Sequence, residues 1–295
     1  RRYATIADFQ NFVKLAYMAP SMHSSNTTLH NRQSSSVMAR HSLDGRVVWI
    51  TGASQGIGRE VAKRLADRGC RLALSARSAD ALAEAVQKIG AEKALAVPMD
   101  VGDRQANLDA VARIREHFGG LDIAILNAGI CEFINVKRFS STVFERTMRT
   151  NYLGVIYGIE AALPALRASK HPHLVAMSST AGYRGLPRGE AYGASKAAVR
   201  YTLESLRIDL RREGIPVSVI YPWFVRTSMT ARNDFPMPGI VSLERAARSI
   251  VNGIERQAPD IDFPKSLSLM LRLVDVLPAR LYTAILDRLG NRHKS

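Results

Sequence analysis

Cysteine is scarce in this chain: Cys70 and Cys131 are the two in 295 residues. They share no pairing motif and no metal-ligand spacing. A disulfide scaffold and a metal site are therefore not expected, and the default setting is a reducing, cytoplasmic one. Long apolar runs are missing too. A charged residue interrupts every apolar stretch before about 18 residues, the length needed to cross a bilayer, so no spanning helix is expected. Acidic residues number 26 against 41 basic ones, a formal net charge of +15. Such an excess draws nucleic acid or anionic lipid when it is concentrated. Here it is spread along the chain, and no basic run is interleaved with stacking aromatics, so nucleic acid is not an expected partner. Arg207, Arg211 and Arg212 fall at helical spacing and read as a solvated face.

What is present is enough apolar residue, 46%, for one large α/β domain. Residues 1–37 stand apart. They end in polar, unpatterned stretches, Ser24-Ser25-Asn26-Thr27-Thr28 and Ser34-Ser35-Ser36, and read as a disordered or non-native leader. Too few arginines and no apolar h-region make a targeting peptide the weaker reading of that leader. From residue 45 short apolar runs alternate with helical periodicity. Val47–Ile50, Leu72–Leu74, Ala94–Pro98, Ile123–Leu126, Leu174–Met177 and Val217–Tyr221 predict six strands, with helices between them. Alternation of this kind calls for a doubly wound parallel sheet, a Rossmann-like α/β fold, over residues 38–262. Residues 263–295 add two amphipathic helices, around 265–277 and 279–289, split by Pro278.

The first strand runs into Thr51-Gly52-Ala53-Ser54-Gln55-Gly56-Ile57-Gly58. Glycines between a strand and a helix allow a tight turn and close approach of backbone N–H groups to a pyrophosphate. The spacing is Gly-x-x-x-Gly-x-Gly. The same residues contain Gly-x-Ser-x-Gly, the nucleophile elbow of serine hydrolases. A hydrolase also needs an acid and a histidine within reach of Ser54. His117, His171, His173 and His293 are the candidates, none in a recognisable catalytic context.

Further along stand Asp100-Val101, Asn127-Ala128-Gly129, Asn151, Ser179, Tyr192-Gly193-Ala194-Ser195-Lys196 and Pro222 through Thr227. With the glycine turn, and in this order, these motifs resemble the short-chain dehydrogenase/reductase family across roughly residues 43–262. Tyr192 and Lys196 at i, i+4 project from one helix face. A nearby ammonium, together with the positive nicotinamide of an oxidised cofactor, favours the phenolate. Moving a phenol from its usual pKa by about 3 units takes roughly 4 kcal/mol of differential stabilisation. Tyr192 would then exchange a proton with a carbonyl or alcohol. The resemblance implies that Ser179 hydrogen-bonds the substrate oxygen, that Lys196 also holds the nicotinamide ribose, and that Asn151 supports a proton-relay water. It also places Val225 and Thr227, after Pro222, against the carboxamide.

Gly52, Ser54, Gln55, Gly56, Ile57 and Gly58 are expected at the pyrophosphate, Asp100 and Val101 at the adenine. Asn127, Ala128 and Gly129 close the fourth strand, where small residues leave room for a cofactor. At the end of the second strand an acid would bind both ribose hydroxyls. Ala76 stands there instead, and the guanidinium of Arg77 suits a 2′-phosphate, so NADP(H) is the expected cofactor.

One residue departs from the family pattern. Trp223 follows Pro222 where glycine is usual, and is expected to narrow the substrate pocket or weaken the catalyst. Met229, Phe235, Pro236, Met237, Pro238 and Ile240 form an apolar lid suited to a hydrophobic carbonyl or alcohol. Two other readings compete with the reductase: an NADP(H)-binding regulatory protein with little turnover, and the serine hydrolase. The resemblance implies a homodimer or homotetramer, with Ala161, Ala162, Leu166, Ala197, Ala198, Val199 and Leu206 offered as the packing face. The C-terminal helices are expected to cap the subunit, or to touch a membrane peripherally.

Overall fold

The computed structural model describes residues 40–235 and 237–291; the expected leader, His293 and Pro236 lie outside them. Seven parallel strands form one sheet in the order β3-β2-β1-β4-β5-β6-β7. They are β1 Val47–Thr51, β2 Arg71–Ser75, β3 Ala94–Ala96, β4 Ile123–Leu126, β5 His173–Met177, β6 Val217–Pro222 and β7 Asp260–Phe263. The strand order reverses between β1 and β4, which opens a crevice at their carboxyl ends. Strands β1, β4, β5 and β6 are buried throughout, the pattern of a sheet covered on both faces.

Alternate side chains divide between two cores. Val48 and Ile50 face the layer that holds α1 Gly56–Ala66, α2 Ala79–Ile89 and α7 Leu243–Glu255. Val47 and Trp49 face α3 Arg104–Phe118, α5 Gly154–Ala168 and α6 Glu190–Arg211. Trp49 is fully buried, its indole N–H donating to Ser75 Oγ at 2.9 Å, so this polar edge of the ring is paired inside the core.

Strand β7 was not expected from the sequence. Its alternation Asp260-Ile261-Asp262-Phe263 places two carboxylates on a half-exposed edge face, and short edge strands carry little apolar signal. Arg272 and Arg207 pair with Asp260 at 2.9 and 2.8 Å. The boundary drawn at residue 262 thus falls inside a strand paired with β6, Pro222 opposite Phe263.

Another feature concerns the helix leading to Asn151. Helix α4, Ser141–Met148, runs through a π turn at Arg149–Leu153 into α5. Such turns re-aim side chains and cluster at functional sites. Helices α8 Lys265–Asp275 and α9 Ala279–Asn291 match the expected pair. They bury Leu267, Leu271, Val274, Tyr282 and Leu286 in the same core as α5 and α6.

Candidate active site

A cleft of about 380 Å³ opens at the carboxyl ends of β1, β2, β4 and β6. Its outer wall is the glycine turn, with Gly52, Ser54, Gln55, Gly56 and Ile57 lining it. Two backbone facts make glycine necessary here. Gly52 sits at φ +67°, and a Cβ on it would lie 2.8 Å from Ala128 Cα. Gly58 does not line the cleft; a Cβ there would lie 2.4 Å from the Gly52 carbonyl, so its role is helix-to-strand packing.

Asn127 holds the turn against β4. Its amide Nδ2 donates to the carbonyls of Thr51 and Gly52 at 2.9 and 3.2 Å. Thr51 returns the tie, its hydroxyl accepting from the backbone of Asn127 and Ala128 at 3.0 and 3.1 Å. Thr51 was legible only as part of the turn, because its role is to bridge residues 76 apart in sequence.

Farther along the cleft, Ala76, Arg77, Asp100 and Val101 form its floor and far end. Asp100 Oδ1 accepts from Gly102 N–H at 2.8 Å, which fixes the loop. Arg77 is exposed at the rim, and among the described residues no acceptor is bonded to its guanidinium. Ala128, Gly129, Pro222 and Thr227 line the inner half, beside Met229 of the expected lid and Ile130 and Met177, which the sequence did not mark as site residues. Val225 is buried behind that wall and bridges to Val241. Ser228 Oγ donates to Gln55 Oε1 across the mouth at 3.3 Å.

At the inner end stand Tyr192 and Lys196, one turn apart on α6. Lys196 is buried, its Nζ donating to the Met177 carbonyl at 2.8 Å. It lies 5.9 Å from the centroid of the Tyr192 ring. Asn151, fully buried in the π turn, exchanges hydrogen bonds with the backbone of Ile130. It also donates to Ser195 Oγ at 3.0 Å. Ser195 was read only as part of the Tyr-x-x-x-Lys motif, yet it orients Asn151 from inside it. Ser179, at the end of β5, caps the short turn Thr180–Gly182. That turn packs so tightly on α6 that a Cβ at Gly182 would lie 2.8 Å from the Lys196 carbonyl carbon.

Burial dominates the electrostatics of this end of the cleft. Burial pushes the Tyr192 phenol above its ordinary value, Cys131 adds to the rise, and only the hydrogen bond with Ser179 lowers it. Burial also pushes Lys196 down to about 8, and Cys131 up to about 11. Desolvation sets the direction of the Tyr192 shift.

Trp223 does not line the cleft. It is buried on the opposite side, packed by Leu271 and Val274 of α8 with Tyr183 and Arg184, and its indole N–H donates to the Pro238 carbonyl at 2.8 Å. The bulky ring fills space between β6 and the C-terminal helices. The hydrolase reading fails on topology. Ser54 stands at the carboxyl end of β1, whereas His117, His171 and His173 cluster at the amino ends of β4 and β5. His173 is buried there against Ser218, 2.7 Å away.

Comparison with known proteins gives the same answer. The short chain dehydrogenase family profile matches residues 46–235. This chain belongs to the short-chain dehydrogenase family. An uncharacterized oxidoreductase of Myxococcus xanthus is 38% identical over 83% of this chain and 97% of its own. An 11-beta-hydroxysteroid dehydrogenase 1A of Arabidopsis thaliana is 34% identical, over 75% of this chain and 69% of its own. Among solved structures, a short-chain dehydrogenase/reductase of Burkholderia phymatum in complex with NAD superposes with a TM-score of 0.73. It is 25% identical and covers 79% of this chain and 93% of its own. The chain is accordingly a short-chain oxidoreductase with a nicotinamide-cofactor fold.

Proposed function

We propose that this short-chain dehydrogenase is an NADP(H)-dependent reductase or dehydrogenase of hydrophobic carbonyl or alcohol compounds. The observation that carries the reading is one cleft with Arg77 at its outer rim and Tyr192 and Lys196 at its inner end. The cradle suits a dinucleotide: Gly52 and Gly56 line the cleft at positive φ, a turn that presents backbone N–H groups to a pyrophosphate. Arg77, at the rim with no acceptor bonded to it among the described residues, would meet the 2′-phosphate. Asp100 and Val101 would flank the adenine, and Pro222 and Thr227 the nicotinamide, with Val225 packed behind them. When bound, the cofactor supplies or accepts the hydride. Tyr192 donates its hydroxyl proton to the carbonyl oxygen in reduction and takes it back in oxidation. Ser179, bonded to Tyr192, orients that oxygen, and Lys196 sets the charge beside the phenol. Asn151 positions the backbone of Ile130 at the inner wall.

The test is cofactor-dependent absorbance of the reduced nicotinamide over a carbonyl panel, with Tyr192→Phe as control. The variant is expected to lose at least about a hundredfold in kcat/KM while binding the cofactor within a few-fold. Retained turnover in the variant would end the mechanism.

Two surfaces extend this reading. On α6, Tyr201 and Ile208 are 76% and 71% exposed, two turns apart on one face, and suit packing against a second copy. On α8, Leu269, Leu273 and Val276 form an exposed stripe flanked by exposed Lys265 and Arg280. Apolar residues rimmed by cations on a chain of net charge +15 suit reversible contact with an anionic bilayer. No helix among the described residues is long and apolar enough to cross one.

A further inference from the structure

Strand β5, which carries Ser179 at its carboxyl end, lies between β4 and β6 in the sheet. The loops that follow β4 and β6 therefore leave on either side of Ser179. They meet through a row of aromatic rings. Phe133, from the β4 loop, packs edge to face on Phe235, with centroids 5.7 Å apart. Phe235 packs on Phe224 at 5.8 Å, and Phe224 on the buried Trp223 at 4.6 Å. Phe133, Phe224 and Phe235 are each only partly buried. Three partly open rings in contact are uncommon on a surface without a ligand to cover them.

The row is held in place from the catalytic side. Arg188, four residues before Tyr192, stacks over Phe133 with its guanidinium 4.9 Å from the ring centroid. The same guanidinium pairs with Asp234, the neighbour of Phe235, at 3.1 Å. Its carbonyl accepts from the Ile134 N–H at 2.9 Å. Its backbone sits at φ +67°, a conformation that a non-glycine side chain adopts at a cost and that neighbouring contacts must hold. One residue thus fastens both loops to the start of the helix that bears Tyr192.

We propose that Phe133, Phe224 and Phe235 form the substrate-recognition wall of this enzyme, and that it selects carbonyl or alcohol compounds built on a flat, uncharged ring system. Rings of that kind stack on partly open aromatic faces, whereas short acyclic carbonyls gain little from them. This rests on the oxidoreductase reading above for the position of the reacting group, but the wall itself is a binding site and is tested as one.

The experiment measures equilibrium dialysis of a bicyclic aryl ketone against the full chain loaded with oxidised NADP, beside kcat/KM for that ketone and for a short acyclic diketone with NADPH. Phe235→Ala is expected to weaken binding of the ring compound about three- to tenfold, the worth of one aromatic pairing, and to lower the ring-to-acyclic kcat/KM ratio by a similar factor. Phe235→Leu keeps apolar volume without a ring face, so it separates lost recognition from a lost fold and should show the same loss. Unchanged affinity in both variants, or a wild-type enzyme that prefers the acyclic compound, overturns the proposal. Ring binding that depends on Phe235 in a protein without turnover would uphold the wall and count against the hydride-transfer reading instead.

Discussion

Two side chains in particular act far from the proton-transfer pair. Arg77 lies at the cleft rim, where a charge-assisted contact to phosphate is worth roughly 1.5–3 kcal/mol, or about ten- to a hundredfold in affinity. Arg77→Ala is expected to weaken NADPH binding by that factor and leave NADH nearly unchanged, as read by titration of both cofactors. If neither moves, another residue reads the phosphate. His173 shows a different logic. Fully enclosed beside Ser218, it is pushed down to about 3, chiefly by burial and secondly by His41. A histidine kept neutral in the fold binds fewer protons than in the unfolded chain. Its contribution to stability is therefore complete above the unfolded value near 6.5 and is lost as pH falls toward 3, with a slope of up to ~1.4 kcal/mol per pH unit. Denaturant midpoints measured from pH 7 to 4 should fall less steeply for His173→Asn than for the wild type; parallel curves would remove His173 from the account.

The helices at the C-terminus answer a question that their sequence posed without resolving. Their amphipathic pattern is compatible with capping and with a lipid surface alike. The fold assigns Leu267, Leu271, Val274, Tyr282 and Leu286 to the core, so cutting the chain after residue 262 would open that core rather than test an anchor. Arg184 secures the pair, stacked 4.3 Å over the Tyr282 ring and donating to the Val274 carbonyl, while Tyr282 donates to Gly185 O at 2.6 Å. The lipid reading rests on the opposite stripe. Leu273→Asp with Val276→Asp should abolish co-sedimentation with anionic liposomes at low salt without lowering thermal stability, since both residues are exposed. Full-length protein that ignores such liposomes would close the matter against a membrane. The π turn is a comparable case, because nothing in Arg149-Thr150-Asn151-Tyr152-Leu153 marks an extra residue in a helix. Only the fit of Asn151 to Ile130 and Ser195 requires it.

Assembly belongs to the whole molecule. Of the residues first offered as the packing face, Ala161, Ala162, Leu166 and Val199 are buried in the subunit's own core, while Ala197, Ala198 and Leu206 stay half-buried. What remains open on α6 is the face of Tyr201 and Ile208. Under a two-fold axis that face meets itself, and light scattering is expected to report a dimer or tetramer that Tyr201→Asp with Ile208→Asp dissociates. A wild-type monomer at micromolar concentration would refute it.

The amino-acid order alone determined the alternating α/β fold, the glycine turn and the spacing of Tyr192 and Lys196, because these follow from local periodicity and from neighbours one turn apart. Six of the seven strands were legible as apolar runs; β7 was not, since its acidic alternation makes sense only beside Arg207 and Arg272. Tertiary structure decided what depends on distant partners. It seated Trp223 against the C-terminal helices, raised the Tyr192 phenol by burial, and set Ser54 at the opposite end of the parallel strands from His117, His171 and His173. Desolvation and the direction a ring points are properties of the packed surroundings, and local spacing does not encode them.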